Sequence, residues 1–149
     1  MAIAERIIIE VDYGRDVRKM IAACSRCHAN LNITSQNFPT DRTGVCELEV
    51  VLVHFNRVIK SEEVLNELDA MGLRPDELQE LLAVGAGLTD KQKQFPIIAL
   101  GLIWRNPRGD HCVPVLWNYG RELNLGRFDV SWLEDCRFLA SPKEYTEAV

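Results

Sequence analysis

No apolar run in this sequence approaches the roughly twenty residues that a membrane-crossing helix needs; even FPIIALGLIW, from Phe95 to Trp104, stops well short. The opening MAIAERIIIEV lacks a basic stretch followed by a cleavable apolar region, so neither export nor membrane anchoring is expected. Basic charge is scarce too. Only 17 Lys and Arg stand against 22 Asp and Glu, and the net charge of −5 repels phosphate backbones, so nucleic acid is not an expected partner. Internal repeats, low-complexity tracts and blocks of like charge are missing, which excludes solenoid and linker architectures. The motifs GxGxxG, HExxH, GxSxG and the Walker-type loop do not occur, so nucleotide binding, zinc-peptidase and serine-hydrolase chemistry lack their usual support. Five cysteines, at Cys24, Cys27, Cys46, Cys112 and Cys136, are an odd and scattered set for a disulfide framework. Reduced thiols in the cytoplasm are the expectation.

What is there reads as one ordinary globular domain over residues 1–149, with 47% hydrophobic and 26% charged residues and enough length for a core without covalent staples. The run IIIEV (Ile7 to Val11) predicts a strand. From Asp16 to about His28, Val17, Met20, Ile21, Cys24 and Cys27 recur at helical spacing and predict an amphipathic helix. Residues 30–44 are polar and carry Pro39, which predicts an exposed connection. In VCELEVVLVHF, from Val45 to Phe55, apolar and charged residues alternate first and apolar residues fill both faces later. That predicts a strand one-sided in its first half and buried on both sides in its second.

Ser61 predicts a helix cap ahead of Glu62 and Glu63, with Val64, Leu65, Leu68 and Met71 inward and Gly72 as the stop. Pro75 opens a further helix with Leu78, Leu81 and Leu82 on its inner face, ended by Gly85 and Gly87. Phe95 to Trp104 reads as a central strand, NPRGD (Asn106 to Asp110) as a turn, and HCVPVLW, RELNL and CRFLA as further strands before a tail over 141–149. The order predicts an α+β fold, a mainly antiparallel sheet with about three helices packed on one face.

The motif CSRCH, Cys24 to His28, has the residues of a haem-attachment, redox or zinc sequence. Its position argues for packing instead. A redox cysteine gains acidity at a helix amino end, whereas this pair falls at the closing turns. Zinc would need a second close pair of ligands, and His111 with Cys112, His54 and Cys46 are scattered candidates. A zinc-stabilised module using Cys24 and Cys27 stays as an alternative; the preferred reading places both thiols inward, with His28 near the last carbonyls, and no cofactor.

Trp104, Trp117, Tyr119 and Trp132 fall in the last third, interleaved with Arg121 and Asp135. Large rings beside arginine and carboxylate make a contact face for a protein partner or a second copy, or else line a small-molecule or enzyme pocket. Of the histidines, His54 shares the strand face of Val50 and Leu52 and reads as a core residue, while His111 stands more exposed beside Asp110.

Taken together, SEEVLNEL, GLRPDELQELLA, FPIIALGLIW, VPVLW and CRFLA resemble a family of small bacterial proteins with no assigned activity. The resemblance spans roughly residues 45–140. It implies a bacterial source and one domain, and it transfers no catalytic residue. A non-enzymatic binding or protein-interaction domain is the expected function.

Overall fold

The computed structural model describes residues 2–24, 28–87, 94–117 and 122–143. In chain order the elements are β1 (Ile3–Asp12), α1 (Val17–Ala23), β2 (His28–Ala29), β3 (Val45–His54), β4 (Ile59–Lys60), α2 (Ser61–Ala70) and β5 (Leu73–Pro75). Then come α3 (Leu78–Gly87), β6 (Ile97–Ile98), β7 (Trp104–Arg105), β8 (His111–Trp117), β9 (Glu122–Arg127), β10 (Ser131–Trp132) and β11 (Arg137–Pro142). Among the described residues the main sheet has nine strands along the path β1-β3-β11-β6-β8-β9-β2, with β5 on β11 and β7 on β8. β4 and β10 form a separate pair. All pairings are antiparallel except β6 with β11 and β2 with β9. The chain is therefore an α+β domain with a mostly antiparallel sheet and three helices, as its element order predicts.

The helices divide between the two faces instead of sharing one. Val50 and Leu52 of β3 join a core with α1 and α3, whereas Val51 and Val53 join a second core with α2. The reason lies in β3 itself: its second half is buried on both sides, Val50 to Val53 all at 2% exposure or less, and each side needs a cover. Its first half carries exposed Glu47 and Glu49 on one side, as the alternation predicts.

Several boundaries move for local reasons. The Asp16 carboxylate accepts from the Arg18 N–H at 2.7 Å and caps α1. That helix ends at Ala23, and the Cys24 N–H reaches back to the Met20 and Ile21 carbonyls. His28 is exposed and opens β2 opposite Glu122, so it does not cap a helix. α3 starts at Leu78 and not at Pro75, because Leu73 to Pro75 are held extended against Ala140, Ser141 and Pro142. Gly85 lies inside α3, where a Cβ would fall 2.4 Å from Cys24 Sγ.

The expected strand from Phe95 to Trp104 breaks after Ile98. Ala99 N–H donates to the Pro114 carbonyl, but proline returns no donor. At Gly101 the N–H donates to Asp76 O at 2.8 Å, an approach so close that a Cβ would sit 2.5 Å from that oxygen. The NPRGD turn is as read: Asn106 Oδ1 accepts from the Arg108 and Asp110 amides and Gly109 adopts φ +87°. Residues 30–44 form no helix or strand, yet they are not an exposed connection throughout, because Ile33 and Phe38 are buried. The expected tail at 141–149 begins later, since Ser141 and Pro142 belong to β11, and residues 144–149 lie outside the described set. No helix among the described residues is long and apolar enough to cross a membrane.

Candidate binding cleft and a sealed charge network

Alternation along β8 puts Val113, Val115 and Trp117 on the α2 face of the sheet and Cys112 and Leu116 on the other. β10 brings Trp132 to the α2 face as well. Its ring is buried, stands edge-on to Phe138 with centroids 6.2 Å apart, and donates through Nε1 to Ser61 Oγ at 2.8 Å. The Ser61 hydroxyl therefore anchors this indole, and α2 carries no side-chain cap hydrogen bond. Gly126 of β9 leaves room for the ring, which a Cβ there would meet at 2.7 Å.

The result is an apolar cleft of about 300 Å³ between β8, β9 and β10, with Trp132 as floor and Pro96, Trp117, Leu133 and Cys136 among its walls. Trp117 is 39% exposed and Leu133 67% exposed at its mouth. Burial, and then the charge of Asp135, push the Cys136 thiol up to about 11, so it remains a neutral apolar wall at physiological pH.

Of the site residues expected from sequence, the fold thus brings Trp117 and Trp132 together, with exposed Asp135 beside Cys136. Trp104 is on the opposite face. Its ring packs 6.3 Å from Phe38 and borders a separate polar cleft of about 400 Å³ with Asn106, Arg108 and Arg127. Tyr119 and Arg121 lie outside the described residues, as does Cys27. Cys24 is buried, consistent with a packing thiol. His54 is half-buried and its Nε2 donates to the Glu134 carbonyl at 2.7 Å, because a carbonyl can only accept. Exposed His111 pairs with Asp129 at 3.3 Å.

Composition and periodicity gave no sign of a second assembly, in which Asp76 and Glu80 are fully buried. Arg74 of β5 donates to Asp76 Oδ1 at 3.1 Å and, through two nitrogens, to both oxygens of Glu80 at 3.3 and 2.7 Å. Tyr13 donates its hydroxyl to Glu80 Oε2 at 2.6 Å, and Ser141 of β11 donates to Asp76 Oδ1 at 2.6 Å. Glu80 also accepts from the Glu77 N–H at 2.7 Å, satisfying an orphan donor at the start of α3. Gln79 ties the network to the 30–44 connection by donating to the Phe38 carbonyl. Helical spacing assigns Asp76 and Glu77 to a solvated first turn; only the β5 to β11 pairing turns Asp76 inward.

Burial, then the charge of Glu80, raise the Asp76 carboxyl to about 8, against the opposing pull of Ser141, Arg74 and Arg42. Asp76 Oδ2 meets no donor among the described residues, which leaves a negative charge there poorly compensated. Burial works against the Arg74 charge too, but Glu80 outweighs it and keeps the guanidinium protonated. The neutral acid Asp76 beside one ion pair is therefore the form at neutral pH.

Folding then binds a proton that the unfolded chain releases, so this contribution to stability is full below pH 3.8 and is lost as pH climbs to about 8. Asp76→Asn is expected to flatten that part of the profile, measured as the difference between wild-type and variant urea midpoints across pH. An unchanged difference would show that Asp76 ionises normally.

Comparison of the chain with family models, with curated proteins and with solved structures found no match.

Proposed function

We propose that the protein is a non-enzymatic binding domain that docks a protein partner by receiving an apolar side chain in the cleft beneath Trp117. One observation carries the reading: a half-exposed tryptophan and an exposed leucine stand over an apolar recess whose floor is fixed by the Trp132 to Ser61 hydrogen bond. Rigid aromatic walls with an accessible apolar mouth suit an anchoring residue, the kind of contact in which a few side chains supply most of the affinity. Asp76, whose carboxyl is strongly perturbed in its ionisation, is sealed from solvent, which favours a structural role for it over acid–base catalysis. Among the described residues Cys46, Cys112 and Cys136 stand as thiols, which supports work in a reducing cytoplasm. A bacterial source rests on the resemblance of the spaced motifs alone.

A photo-crosslinking residue placed at Leu133 in the native cell tests the proposal. It is expected to give a discrete protein adduct that disappears in the Trp117→Ala background, while the same probe at exposed Glu62 gives none. No adduct at position 133, or the same adduct from both positions, would sink it.

A further inference from the structure

We infer that the open edge of β1 pairs with β1 of a second copy of this chain, joining two sheets into one across a two-fold axis. This surface is separate from the Trp117 cleft and does not depend on the reading given to it.

Among the described residues β1 pairs on one side only, with β3, over ten residues without a bulge. Its guards against edge pairing are limited to charged side chains, Arg6 and Glu10 among them. IAERIIIEVD contains no proline and no lysine, and Ile8 at its centre is 65% exposed. The direction of the free backbone groups follows from the ladder. The Tyr13 N–H donates to the Gly44 carbonyl, continuing the register of β1 with β3. Alternation then turns the odd residues of β1 toward β3 and leaves the amides and carbonyls of Ala4, Arg6, Ile8 and Glu10 facing the open side, while the Asp12 carbonyl accepts from the Arg15 N–H.

A two-fold axis normal to the sheet keeps each face on its own side, so even residues must meet even residues. Centring the axis on Ile8 sets Ile8 against its own copy and Arg6 against Glu10 of the other chain, twice by symmetry. Sliding the register by one side-chain period in either direction instead sets Arg6 or Glu10 against Ile8. Charge complementarity thus selects one register.

The lone chain also leaves a conflict that this pairing relieves. Glu10 stands directly opposite Glu47, a like-charge cross-strand pair, with Glu49 on the same face. Arg6, already paired with Glu49 in its own chain, arrives from the second copy opposite Glu10 and supplies the missing cation.

Sedimentation of the full chain tests the inference. The wild type is expected to dimerise. Arg6→Glu sets a second carboxylate against Glu10, and Glu10→Arg places two guanidinium groups together, so each variant alone should weaken association by about tenfold or more. An equimolar mixture of the two variants restores both complementary pairs and should recover the dimer. Hydrogen exchange of the wild type gives an independent readout, with the amides of Arg6, Ile8 and Glu10 slowing as concentration rises. A monomer at all accessible concentrations, folded variants that associate like the wild type, a mixture that stays monomeric, or edge amides that exchange equally fast throughout would each overturn it.

Discussion

Replacing Arg74 by alanine is expected to destabilise the fold by about 3–5 kcal/mol, the loss that follows when one partner of a buried ion pair is removed and the other charge stays. The size follows from the sealing. Glu80 is fully buried and Arg74 is the cation that grips both of its oxygens. Without the guanidinium its carboxylate sits in a low dielectric, held by Tyr13 and the Glu77 N–H, which are neutral donors. Denaturant unfolding reads the effect. The double variant Arg74→Met with Glu80→Gln removes both charges and is expected to be more stable than Arg74→Ala alone, because no unpaired ion remains inside. A single-variant loss within about 1 kcal/mol would mean that the pair is hydrated and worth no more than a surface bridge.

Phe38→Ala is expected to cost a similar amount, about 3–5 kcal/mol, as for other fully buried phenylalanines replaced by alanine. Phe38 is 1% exposed, its ring lies against Trp104, and its carbonyl accepts from Gln79 at the start of α3. The cavity opens beneath a connection that has no helix or strand to resist it. Thermal unfolding should show the loss, and Trp104 fluorescence should shift toward that of a hydrated indole. If stability holds and the emission is unmoved, residues 30–44 are not anchored through this ring.

These two residues also mark where the sequence is legible and where it is not. Periodicity finds β3, α2 and the inner face of α3 because a buried stripe recurs at a spacing that local geometry imposes, and the NPRGD turn because Asn and Gly meet its backbone needs directly. Phe38 is a single apolar residue among polar neighbours, with no period to reveal it. Asp76 and Glu80 look like a solvated helix start, and become interior only when β5 pairs with β11 across a long separation in the chain. Half of the expected aromatic site is legible for the same reason. The parity of β8 sends Trp117 to one face, whereas Trp104, on the opposite side, depends on the break at Ala99 to Gly101, which the apolar run conceals.

The order of the sheet has a consequence for synthesis. β11, the last described strand in the chain, fills the gap between β3 and β6 and is hydrogen-bonded to both. As the polypeptide leaves the ribosome, its earlier strands emerge with two unfilled inner borders and with the core around Val51, Val53 and Ile98 short of Phe138 and Ala140, until residues 137–142 arrive to bridge them. Maturation therefore waits on residues 137–142, and a nascent chain stalled upstream of Arg137 is a substrate for chaperones or proteases.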